Sequence, residues 1–210
     1  YLSDDDFSRI FVLNGFAGTG KTTLIAALVA ALKELRIKPV LLAPTGRAAK
    51  VLARYCGEQA LTIHKRIYRQ RTNADYESKF SLDFNREQGA VFIVDEASML
   101  SDSTGDGALF GSGSLLEDLV SYVRSGRGCR LILVGDSAQL PPVGCDFSPA
   151  LDPATVSRYG EVVYGLMDEV VRQQMQSGIL FNATLVRCML ENRIYEIPKF
   201  EMDYPDFESV

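Results

Sequence analysis

The chain has 210 residues, 47% of them hydrophobic and 23% charged, and a net charge of −5. This length suits one domain, alone or with insertions, that buries roughly 70% of its unfolded surface, and the composition excludes disordered, collagen-like and coiled-coil chains. No apolar run reaches the roughly 18 residues of a membrane span, the acidic Tyr1–Arg9 is no signal peptide, and Cys56, Cys129, Cys145 and Cys188 form no CxxC pair, so a reducing, cytoplasmic setting without zinc, disulfides or a membrane partner is expected.

In chain order, short apolar strands alternate with helical segments, the pattern of an α/β fold with a mostly parallel sheet. Ile10–Leu13 reads as a strand running into Asn14 and Gly15. Lys21–Leu35 carries a broad apolar face at helical period, through Leu24, Ile25, Leu28, Val29, Leu32 and Leu35. Val40–Ala43 is a strand begun by Lys38-Pro39, and Arg47–Tyr55 a helix that Thr45 can cap. Val91–Val94 and Leu131–Val134 are continuous apolar runs of buried-strand type. Leu115–Val123 and Ser177–Leu190 read as helices, and Val162–Tyr164 as a further strand.

Two polar stretches, Gln70–Gly89 and the Gly/Ser-rich Ser101–Ser114, read as surface loops or insertions, and the acidic Glu191–Val210 as a tail or linker. The first residue, Tyr rather than Met, points to residues upstream.

Charge is unevenly spread. Residues 33–71 hold ten Lys and Arg against Glu34 and Glu58, a local +8 that leaves −13 elsewhere. A local field of this kind attracts a polyanion whatever the net charge, although a solvated helix face has the same composition.

Three strand ends carry chemistry. Gly15-Phe16-Ala17-Gly18-Thr19-Gly20-Lys21-Thr22 is a full GxxxxGK[ST] phosphate loop between a strand and a helix, with Thr23 following. Its glycines let successive N–H groups turn toward phosphate oxygens at a helix N-terminus. Lys21 would reach the β- and γ-phosphates and the Thr22 hydroxyl would hold Mg²⁺. Asp95 and Glu96 follow Val91–Val94 at a carboxyl strand end, where ligands of such sheets bind. Asp95 is a candidate for Mg²⁺ and Glu96 for the base that deprotonates an attacking water. The third strand opens into Gly135-Asp136-Ser137-Ala138-Gln139-Leu140-Pro141-Pro142-Val143, where Gln139 can donate to a γ-phosphate and accept from a water.

Together these blocks resemble superfamily 1 helicases of the 5′-to-3′ RecD/Dda branch. GFAGTGKTT is similar to helicase motif I, FIVDEAS to motif II and LVGDSAQLPPVG to motif III. Leu42–Ala49 resembles motif Ia, Leu61–His64 the TIH block, and Val170–Gln173 with Ser177–Ile179 motif IV. The resemblance implies a RecA-like P-loop lobe over residues 1–190, with helices on both sheet faces, residues 70–89 where relatives insert a duplex-splitting hairpin, and 191–210 leading to a second lobe. It implies ATP and Mg²⁺ as cofactors, Gln139 and Arg172 on the γ-phosphate, and Pro44, Thr45, Arg47, Thr62 and His64 along single-stranded DNA. His64, flanked by Ile63 and Ile67, reads equally as a packed core residue, and Tyr76, Phe80 and Phe84 as loop anchors rather than base-stacking groups.

The expected activity is that of an ATP-hydrolysing helicase motor lobe. Helicases of this kind work with two lobes, the second offering an arginine to the γ-phosphate, so slow turnover and no unwinding are expected of this chain alone. The resemblance also admits other recombination or repair subunits as partners. Two other readings compete: a P-loop ATPase or kinase with a non-nucleic-acid substrate, and a non-catalytic nucleotide-gated DNA-binding module. The first leaves GDSAQLPPV unexplained and the second the intact Lys21, Thr22, Asp95 and Glu96. No LSGGQ or NKxD block occurs.

Overall fold

The computed structural model describes residues 6–72, 78–102, 110–169, 177–192, 194 and 196–204. The elements are β1 (Ile10–Gly15), α1 (Lys21–Glu34), β2 (Pro39–Ala43), α2 (Gly46–Cys56), β3 (Ala60–Thr62), α3 (Ile63–Ile67), β4 (Tyr68–Thr72) and β5 (Ser78–Leu82). They continue with β6 (Val91–Val94), α4 (Leu115–Ser125), β7 (Arg130–Gly135), α5 (Pro153–Val156), β8 (Val162–Met167) and α6 (Gly178–Glu191). Six strands form one parallel sheet in the order β3-β2-β6-β7-β1-β8. The expected α/β fold is observed, as a RecA-like P-loop lobe.

The apolar runs behave as parallel strands buried on both faces must. On β6, Phe92 and Val94 join one core cluster with Leu116, Leu119 and Val123 of α4, while Val91 and Ile93 join the other with Ile25, Val29 and Leu32 of α1 and Leu52 of α2. Burying each such side chain stabilises the fold by roughly 1.5–3 kcal/mol. Because β1, β2, β6 and β7 are parallel, all four end on the same edge of the sheet. That edge therefore receives every motif that follows them.

Three boundaries run beyond the apolar residues. The strands starting at Ile10, Arg130 and Val162 extend through Gly15, Gly135 and Met167, because ladder pairing continues past the apolar side chains. The stretch read as a loop at Gln70–Gly89 instead contributes to an antiparallel hairpin, β4 with β5, in register from Tyr68↔Leu82 to Thr72↔Ser78. Its polar residues hide any alternation, and among the described residues Tyr68, Phe80 and Leu82 pack the hairpin on the core. β3 and α3, three and five residues long, are too short to show a period.

The tail after α6 folds back on that helix. Asn182 Nδ2 donates to the Glu201 carbonyl at 2.7 Å, its Oδ1 accepts from the Glu201 N–H at 2.8 Å, and Phe181 meets Tyr204 at 5.6 Å. No helix among the described residues is long and apolar enough to cross a membrane.

Candidate functional site

The phosphate loop is shaped by its glycines. Gly20 caps α1 at φ 87° with no side-chain hydrogen bond, leaving the first N–H groups of the helix free for an anion. Gly15 leaves room for Lys21 to fold back, since a Cβ there would lie 3.0 Å from Lys21 Cγ. Lys21 Nζ donates to the carbonyls of Gly15 (2.7 Å) and Phe16 (2.9 Å). Thr19 Oγ1 closes the turn on the Phe16 carbonyl at 2.8 Å. Burial pushes the Lys21 pKa down, opposed by the nearby charges of Asp136, Asp95 and Glu96.

The two acids after β6 sit beside it. A cleft of about 420 Å³ is lined by Thr22, Thr45, Arg47, Asp95, Glu96 and Met99, among others. Burial raises the Asp95 pKa, against the pull of the Glu96 N–H, which donates to Asp95 Oδ1 at 3.0 Å, and of Lys21. Burial also raises that of Glu96, reinforced by the Asp95 charge. Glu96 itself adopts the left-handed conformation, φ 56° and ψ 36°, which turns the chain sharply into the short 3-10 helix Ala97–Met99. Gln139 is exposed, and its Oε1 accepts from Ser98 Oγ at 3.4 Å on that helix. Arg172 lies outside the described residues, as do Val170, Val171, Gln173 and Tyr76.

The residues assigned by resemblance to a DNA path occupy the next strand ends. Pro44 follows β2, and the Thr45 side chain caps α2 by accepting from Ala48 N at 3.2 Å. Thr62 caps α3 in the same way, accepting from Lys65 N at 3.2 Å. His64 packs edge-on to Phe110 at 5.1 Å and near Tyr68 at 5.6 Å, and burial lowers its pKa, so it is neutral at pH 7. Phe80 stacks on Phe110 at 4.5 Å and so anchors the hairpin, whereas Phe84 is exposed.

The basic stretch is partly neutralised by acids inside and outside it. Arg69 pairs with Asp83, and Glu87 takes both Lys38 (2.8 Å) and Arg66 (2.6 Å), while Lys33 pairs with Glu58. Arg36, Arg47, Lys50, Arg54 and Lys65 stay exposed and form no ion pair among the described residues. Among the described residues the unpaired positive charge of this stretch is thus Arg36 and one face of α2 with Lys65 of α3, narrower than residues 33–71.

Sequence reasoning missed two residues at this edge. Asn14, 6% exposed, donates to Ser137 Oγ (2.8 Å) and Tyr164 Oη (3.1 Å) and accepts from Ser137 N (3.0 Å), tying β1 to the turn after β7. A polar residue ending a buried strand was its available signal. Arg187 of α6 pairs with Asp136, and nothing in its helical sequence context marked it.

The AAA domain model matches residues 5–181. Among curated relatives, the chain is 33% identical over 135 residues to the ATP-dependent RecD2 DNA helicase of Deinococcus radiodurans, covering 64% of this chain and 16% of that protein. It is 33% identical to the RecBCD enzyme subunit RecD of Mycobacterium tuberculosis (78% of this chain, 32% of that one). It is 34% identical to the ATP-dependent DNA helicase dda of Enterobacteria phage T4 (62% and 28%). The chain therefore spans no more than a third of these relatives' length. The crystal structure of the Pif1 helicase from Candida albicans shares the fold, with a TM-score of 0.53 at 20% identity over 94% of this chain and 43% of that one. A phosphate loop, an acidic pair and a GDSAQLPPV turn on one sheet edge, in a chain so matched, agree on one lineage: the chain belongs to the AAA domain family, in the RecD/Dda-like branch of superfamily 1 helicases.

Proposed function

We propose that the chain is the ATP-binding and hydrolysing motor lobe of a DNA helicase that moves along single-stranded DNA. The observation that carries the reading is a single cleft lined by Thr22, Asp95 and Glu96 beside Lys21, and by Thr45 and Arg47.

ATP binds with its phosphates against the N–H groups from Gly15 to Thr22 and the start of α1. Lys21 exchanges the Gly15 and Phe16 carbonyls for β- and γ-phosphate oxygens. The donor set suits Mg²⁺, which the Thr22 hydroxyl and the partly buried Asp95 carboxylate would hold. Bound there, Mg²⁺ would neutralise charge on the β- and γ-oxygens. Glu96, its pKa raised by burial and by the Asp95 charge, takes the proton of the attacking water, and Gln139, steered by Ser98, orients that water. Arg172 and an arginine from a second lobe are assigned to the γ-phosphate. Such an arginine contributes about 10³–10⁵ in rate, so this lobe alone turns over slowly.

Single-stranded DNA lies along Pro44, Thr45, Arg47, Thr62 and His64, with Arg47, Lys50 and Arg54 supplying the phosphate contacts. Residues 1–190 form the lobe, 191–210 lead toward the second lobe, and partner subunits of a repair complex join the whole protein. The four free cysteines fit a reducing cytoplasm.

The test is ATP hydrolysis by this chain with and without a single-stranded oligonucleotide, beside Lys21→Ala. Turnover that rises with the strand and disappears in the variant is expected. Turnover indifferent to the strand would favour an ATPase with another substrate, and turnover surviving Lys21→Ala would refute the site.

A further inference from the structure

Arg187, on the inner side of α6, touches the nucleotide site at two points. Its Cζ lies 3.9 Å from the centre of the Phe16 ring, in the phosphate loop itself. Its Nη2 faces Asp136 Oδ2 at 3.2 Å and Oδ1 at 3.3 Å, and Asp136 is only 1% exposed. The pair is long for a charge-assisted bond, which runs at about 2.7–2.9 Å. Arg187 Nε is buried and has no acceptor among the described residues. Asp136 also acts on Lys21, raising that lysine's pKa, while Arg187 lowers it. Asp136, which also accepts from Ala138 N at 2.9 Å, thus pairs with Arg187 on α6 and lies within the field of Lys21 in the phosphate loop.

We propose that Arg187 is a positioning residue that conveys phosphate binding from the loop to α6 through Asp136 and Phe16. The inference rests on the nucleotide-site reading given above. When a triphosphate takes up the charge of Lys21, Arg187 becomes the dominant cation at Asp136. The pair then shortens, and the flat guanidinium settles on the Phe16 ring that the phosphates have fixed. α6 is held more tightly, and so is the tail that returns along it through Asn182 and Glu201.

Lysine in place of Arg187 keeps the charge but loses the planar stack and the forked donors. Alanine in place of Phe16 removes the ring and keeps the loop backbone. The full chain is compared with Arg187→Lys and Phe16→Ala by amide hydrogen exchange over residues 178–191, with and without a non-hydrolysable ATP analogue and Mg²⁺. Affinity for a fluorescent analogue is titrated in parallel. In the unmodified chain, saturating analogue should slow exchange in α6 by about fivefold. In each variant the slowing should fall below about twofold, and in Arg187→Lys affinity should stay within about threefold of the unmodified chain.

Exchange in α6 that ignores the analogue, or variants that keep the whole effect, would overturn the proposal. So would a loss of affinity beyond about thirtyfold in Arg187→Lys, because Arg187 would then be a direct phosphate ligand. Failure of the unmodified chain to bind the fluorescent analogue would bring down the nucleotide site, and this coupling with it.

Discussion

Glu96 occupies the left-handed region at φ 56° and ψ 36°, which costs a residue with a Cβ about 1–2 kcal/mol. Glycine adopts that conformation without the clash, yet loses about 0.5–1 kcal/mol through its freer unfolded chain. Glu96→Gly should therefore gain about 0.5–1 kcal/mol from the backbone. Removing a half-buried carboxylate next to Asp95 acts in the same direction. Glu96→Ala separates the two effects, because it too lacks the carboxylate but keeps the Cβ. Thermal denaturation followed by circular dichroism should rank Glu96→Gly above Glu96→Ala by roughly 2–4 °C, the shift that about 1 kcal/mol produces in a chain of this size. Both variants should bind the fluorescent ATP analogue and neither should hydrolyse ATP. If the glycine variant melts at or below the alanine variant, Glu96 stores no backbone strain. If either hydrolyses ATP normally, Glu96 is not the base.

Thr45→Ala removes the cap of α2 and should lower stability by about 1 kcal/mol in urea unfolding, without changing the slope against denaturant. His64 has a depressed folded pKa, so the stability of its neutral form is present above the ordinary value of 6.5 and is lost as pH falls through it. The stability difference between wild type and His64→Phe should therefore shift against wild type on acidification below 6.5; a difference independent of pH would mean that His64 is not buried neutral. Arg47→Ala and Lys50→Ala should each reduce the slope of log affinity for a single-stranded oligonucleotide against log salt by about 0.7. An unchanged slope in both would move the strand off α2.

The sheet was legible because its strands are buried on both faces and write themselves as uninterrupted Val, Ile, Leu and Phe, as in Val91–Val94. The phosphate loop was legible because each glycine and Lys21 answers to a local geometric demand. The β4–β5 hairpin was legible only through the family resemblance, since Arg69 and Gln70 face solvent and backbone pairing leaves no mark on side-chain pattern. Local charge misled in a different way. Glu87 and Asp83, outside the basic stretch, cancel part of it across distances that sequence order does not reveal. Arg187 and Asp136 are far apart in the chain and meet only because α6 returns to the edge of β7.

Phe110 stands at the end of the Gly/Ser-rich stretch, yet its ring stacks on Phe80 of the hairpin, and the Gly111 N–H donates to the Phe80 carbonyl at 2.9 Å. Asp118 of α4 braces the same corner, accepting from Tyr68 Oη at 2.6 Å and from Ser112 N at 3.0 Å. The hairpin and the second stretch are therefore one inheritable unit written in two places. A hairpin transplanted from a relative would arrive without its footing unless residues 110–112 came with it. Among homologues, changes at Phe80 and Phe110 should accompany each other, while the loop tips diverge freely.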